Sequence, residues 1–143
     1  MTILNSKVDV LRGWTPGGDA GIDQSLPPVS GSTFAPGSAV ALQSTGEVDL
    51  PAAPSATRQP IYFVVEGNTA HEYDTDFVGK MLCLRGKLTV KTDVYLPAGL
   101  AVGGPITVNA AGQFIAAGAN YRYGFLLADD TAVDGTITIE LDL

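Results

Sequence analysis

The chain has 143 residues, 45% apolar and 16% charged, with 17 glycines, 9 prolines and a formal net charge of −7. That balance excludes a disordered chain, which needs low hydrophobicity with high charge, and argues against a nucleic-acid binder, which needs clustered cations. One domain of this length removes roughly 68–70% of its unfolded surface from water, so no disulfide or metal is needed to hold it; a single cysteine, Cys83, agrees.

Residues 1–36 are rich in Gly, Pro, Ser and Asp, and Gly17-Gly18, Pro27-Pro28 and Ser30-Gly31-Ser32 break regular structure. Only Val8–Leu11 has the makings of a strand there, so the segment reads as an extended N-terminal arm. From residue 37 to 143 short β-patterned runs alternate with turns. Ser38–Gln43 and Glu47–Leu50 flank Thr45-Gly46 and predict a hairpin; a Pro/Ala-rich connection from Pro51 to Pro60 follows. Ile61–Glu66 is the most β-branched and aromatic run, and Gly67-Asn68 closes it. Cys83, between Leu82 and Leu84, reads as a small buried hydrophobe.

From Arg85 the period is two: Lys87, Thr89, Lys91, Asp93 and Tyr95 alternate with Leu88, Val90, Thr92, Val94 and Leu96, as a half-buried strand requires. Ile106–Val108, the turn Asn109–Gly112 and Gln113–Ile115 predict a second hairpin, and Tyr121–Leu127 a further strand. At the C-terminus Ile137, Ile139 and Leu141 face one way, and Thr136, Thr138, Glu140 and Asp142 the other. No window keeps a 3.6-residue apolar period over three turns, and Gly112 and Gly118 argue against a helix in the alanine-rich Ala110–Ala119. The expected fold is all-β: a small β-barrel or β-sandwich of eight to ten short antiparallel strands, residues 37–143, preceded by the arm of residues 1–36.

The opening residues lack the basic and apolar regions of a secretory signal. The uncharged stretch Tyr95–Ile115 is broken by Pro97, Pro105 and several glycines, so it is no membrane-spanning helix. A protein folded in a cytoplasm, without a membrane partner, is expected.

Chemistry needs titratable groups converging in a pocket. The only histidine, His71, must serve any catalytic arrangement, and neither a nucleophile elbow nor a phosphate-binding glycine loop is present. His71, Glu72, Asp74 and Asp76 are close enough in sequence to hold a divalent metal, with a solvated loop as the plainer alternative. Asp129-Asp130…Asp134-Gly135 lacks the ligand spacing of a calcium loop and reads as a turn capped by Asx hydrogen bonds. No catalytic, cofactor or metal-binding residue is assigned, and a non-enzyme is expected. Trp14, near Leu11, is either an aromatic anchor filling a partner's pocket or a cap on the domain's own core. Leu11 and Trp14 are the candidate partner-binding residues.

Gly104–Ile115, then Tyr123–Ala128, then Asp134–Leu141 resembles the close of tailed-phage head decoration, or cement, proteins, with Tyr123-Gly124 where Ile-Gly is usual. The similarity covers about residues 78–143 and is one of strand and turn layout. It implies a small β-domain on the outer surface of a capsid, bound to the major capsid protein and commonly trimeric, made in the bacterial host cytoplasm and ending in the virion. The competing expectations are a carbohydrate-binding or adhesin-like module of a phage fibre, which would display tyrosines on one open face, and a small metal-dependent enzyme built on His71.

Overall fold

The alternation in Lys87–Thr92 (β7) and Thr136–Asp142 (β11) makes two half-buried strands, paired antiparallel from Ile137 opposite Thr92 to Asp142 opposite Lys87. The computed structural model describes residues 8–12, 22–29, 32, 34–66 and 81–143. Leu88, Val90, Ile137, Ile139 and Leu141 are buried, and Thr89, Thr138 and Glu140 lie on the opposite face. Around this pair a six-stranded sheet forms from Asp9–Arg12 (β1), Pro105–Val108 (β8), Phe114–Ala116 (β9) and Gly124–Asp130 (β10), in the order β1-β7-β11-β10-β8-β9.

The second sheet contains Ile22–Leu26 (β2), Ala39–Leu42 (β3), Val48–Asp49 (β4), Ile61–Glu66 (β5) and Met81–Arg85 (β6), in the order β2-β6-β5-β3-β4. Every strand pair is antiparallel, and no helix occurs among the described residues. The edge strands of one sheet do not pair with those of the other, so the fold is a β-sandwich and not a closed barrel.

Within residues 1–36, Asp9–Arg12 and Ile22–Leu26 are strands of the sandwich. β1 borders one sheet and β2 the other, and Val8 is buried in the core between them. β2 was not anticipated: Asp23-Gln24-Ser25 gives no apolar alternation, and an edge strand with one neighbour, β6, needs little.

Burial explains the other departures from simple alternation. Ala39, Ala41, Ile61, Phe63, Val65 and Leu84 pack from the five-stranded sheet against Leu88, Val90, Phe114, Leu126 and Ile139 of the six-stranded one. Phe63 and Phe114 meet across the interior at 6.2 Å between ring centroids. The reverse face of the five-stranded sheet is also buried: Val40, Val48, Tyr62, Val64, Met81 and Cys83 form a second cluster with Phe34. A strand covered on both faces reads as a continuous apolar run, as Ile61–Val65 does. Each such side chain, fully buried, stabilises the fold by roughly 1.5–3 kcal/mol.

One chain segment joins the layers. β6 lies in one sheet and β7 in the other with only Gly86 between, at a φ of 105° that favours glycine. The backbone of Leu143 clamps this corner: Gly86 N–H donates to the Leu143 carbonyl at 3.0 Å, and Leu143 N–H to the Gly86 carbonyl at 2.9 Å. β7 ends at Thr92, short of the alternation's reach to Leu96, because the buried Thr92 hydroxyl donates to the Gly37 carbonyl at 2.7 Å and accepts from Val94 N–H. Thr136, assigned by alternation to the polar face, is likewise buried, with its hydroxyl donating to the Asp134 carboxylate at 2.5 Å.

β10 starts at Gly124, later than the expected Tyr121, and its first residue is fixed by β11. A methyl group at Gly124 would lie 1.8 Å from the Glu140 carbonyl oxygen. Gly124→Ala is therefore expected to force β10 and β11 apart and lower stability by roughly 1–3 kcal/mol. In urea denaturation this appears as an earlier midpoint with little change in slope; an unmoved midpoint would show that the two strands yield freely.

Candidate interaction surfaces

Leu11 sits in β1 where the register slips between Val10 opposite Val90 and Arg12 opposite Thr89. The bulge leaves it unpaired and 50% exposed. Leu127 is the extra residue of a second bulge, between Leu126 opposite Ile139 and Ala128 opposite Thr138, and it too is exposed. The two leucines line one open groove on the outer face of the six-stranded sheet, with Thr89 and Glu140 between them and Arg12 and Lys87 beside it. Trp14, the other candidate partner-binding residue, lies outside the described residues, as do His71, Glu72, Asp74 and Asp76.

The β10–β11 turn is an ordered acidic knob. The Asp130 carbonyl accepts from the N–H groups of Val133, Asp134 and Gly135. Asp129 Oδ1 accepts from Thr131 N–H at 3.1 Å, and the Thr131 side chain, followed by this backbone bond, holds the Asp129 carboxyl below the usual range. Asp134 Oδ1 accepts from both the hydroxyl and the N–H of Thr136, and Oδ2 pairs with Lys91 Nζ at 2.9 Å. Those contacts, Thr136 foremost, lower the Asp134 pKa, and the same carboxylate raises that of Lys91. The expected Asx-capped turn is what forms, with Gly135 at a φ of 76°. At its tip Val133 is 83% exposed.

A second cleft, of about 420 Å³, opens at the corner where β6 passes into β7. Arg58 and Arg85 flank it, and Gln59, Pro60, Ile61, Tyr62 and Leu143 complete its walls. Neither arginine forms an ion pair among the described residues, where Lys91–Asp134 is the one such bridge. Sequence reasoning missed this cleft because the arginines are far apart along the chain. The available signal was that Arg58 precedes the β5 run and Arg85 ends the β6 run; antiparallel pairing of β5 with β6 brings those ends together.

The remaining candidates are structural. Cys83 is fully buried, and burial pushes its thiol pKa up to about 12, so it stays protonated and unreactive. Tyr62 and Tyr123 are buried. The Tyr123 hydroxyl accepts from Gln59 N–H at 2.7 Å, and its pKa is raised by burial. Tyr121 packs against Tyr123 at 4.9 Å and is itself half-buried. The described tyrosines therefore offer no open stacking platform. No three His, Cys, Asp or Glu side chains gather as a metal site would require among the described residues.

The lowered pKa of Asp134 ties the knob to pH. Its stabilising effect is complete above the ordinary carboxylate range, about pH 4, and is lost as pH falls through the lowered folded value. Wild type and Asp134→Asn should thus differ in denaturation midpoint at neutral pH and converge in strong acid. By NMR titration Thr136→Val and Lys91→Ala should each raise the Asp134 pKa; a pKa that either variant leaves unmoved would remove that residue as a cause. No protein-family model, curated protein or solved structure matches this chain.

Proposed function

We propose that this chain is a structural, non-enzymatic protein that binds the outer surface of a tailed-phage capsid, contacts the major capsid protein and stabilises the shell. The observation that carries the reading is the C-terminal layout. Pro105–Val108 and Phe114–Ala116 form one hairpin, Gly124–Asp130 and Thr136–Asp142 a second, and the two lie side by side in one sheet. This is the strand and turn pattern on which the resemblance to head decoration proteins rests, and Gly124 is tied to it by its close approach to β11.

The surfaces suit such work. A shell protein needs no reacting group; it needs modest contacts repeated by symmetry, so that avidity multiplies them. Exposed Leu11, Leu127 and Phe125 supply apolar contact area on the outer face of the six-stranded sheet. A net charge of −7 favours the solubility of unbound copies. Burial of Tyr62 and Tyr123 weighs against the carbohydrate-binding alternative, which stacks sugars on exposed rings.

Purified protein mixed with undecorated cognate capsids should co-sediment at a fixed saturating ratio, occupy one class of lattice site by cryo-microscopy and raise the temperature at which the shell opens. Absence of binding would sink the proposal. Deleting residues 1–36 is a poor probe of attachment, since it removes β1, β2 and the buried Val8. Leu11→Asp changes only an exposed bulge, and is expected to leave the unfolding midpoint unchanged while weakening capsid attachment by about tenfold, as loss of an apolar anchor does.

A further inference from the structure

The acidic knob and the arginine cleft lie on the same chain and are opposite in charge, and we infer that they are the two halves of a contact between copies. The β10–β11 turn of one copy seats in the β6–β7 corner cleft of the next, with Val133 against the exposed Pro60 and with Asp129 and Asp130 beside Arg58 and Arg85.

Both halves are built before they meet. Three N–H groups converging on the Asp130 carbonyl, the Asp129–Thr131 bond and the Lys91–Asp134–Thr136 clamp fix the knob. The two-way backbone pairing of Gly86 with Leu143 fixes the corner behind the cleft. Association of preformed surfaces loses little conformational freedom, so a small contact suffices. Val133, 83% exposed at the tip of the knob, is the apolar group that such a contact would cover.

The charges select this pairing over others. With a net charge of −7, most approaches of two copies are repulsive. At physiological salt that general repulsion is screened beyond about 8 Å, and the local match decides. Arg58 and Arg85 make the cleft a cationic site on an acidic protein, and the knob carries Asp129, Asp130 and Asp134 against Lys91 alone. The Leu11 bulge disfavours pairing of the β1 edge with another copy.

The contact joins two different patches, so it is heterologous and closes only as a ring or continues as a filament. It needs no capsid, and its test is separate from that of shell binding. Sedimentation velocity of the purified chain across the micromolar range should show self-association that added salt weakens. Arg58→Glu/Arg85→Glu and Asp129→Lys/Asp130→Lys, each confirmed as folded by circular dichroism, should each associate at least about tenfold more weakly. An equimolar mixture of the two variants should recover association, since each then offers the other a matching partner. A wild type that stays monomeric throughout, variants that associate like the wild type, or a mixture that fails to recover would each overturn the inference.

Discussion

The strand Met81–Thr92 belongs to both sheets, and this sharing governs the rest of the architecture. A flat strand would leave the layers as separate hydrogen-bonded units held only by side-chain packing. The left-handed backbone of Gly86 turns the strand out of one sheet and into the other within a single residue. β5 and β2 then register on its first half, β11 and β1 on its second. Leu143 pairs with the bend itself, so the last residue of the sequence fastens the middle of the chain. The corner cleft is a product of the same bend, because it lies where the two sheets diverge.

The five-stranded sheet carries more burial than a two-layer sandwich demands. Its inner face meets the six-stranded sheet around Phe63 and Phe114, and its outer face holds Tyr62, Val64, Met81 and Cys83 beneath Phe34. The six-stranded sheet has one solvated face, with Lys87, Thr89 and Glu140 on it. The sandwich is thus asymmetric: one sheet serves as the interior and the other as an outward surface. Surface chemistry is concentrated on the sheet that contains both leucine bulges and the acidic knob.

Legibility in the sequence followed the origin of each feature. Ile61–Glu66 and the hairpin around Asn109–Gly112 were readable because local preferences and tertiary burial agree there. Asn109 caps its own turn, accepting from Ala111 and Gln113 N–H groups. The all-β class and the choice of Cys83 as a buried hydrophobe follow from the same agreement. β2 was hidden because an edge strand needs no apolar alternation. The end of β7 was hidden because it depends on a hydroxyl bond from Thr92 to Gly37, 55 residues away. Leu11 was singled out as the neighbour of Trp14 in the arm, but its exposure comes from a register slip that no residue type announces. Arg58 and Arg85 become neighbours of one cleft only through the pairing of β5 with β6.

The burial of Cys83 bears on how any assembly of this chain is held. It is the only cysteine in the sequence, and it lies under the covered face of the five-stranded sheet with its thiol protonated. Folded copies therefore have no thiolate with which to cross-link one another, whatever the redox conditions outside. The contact between copies inferred above is thus one that no cystine bond through Cys83 would lock, and its strength would follow concentration and salt.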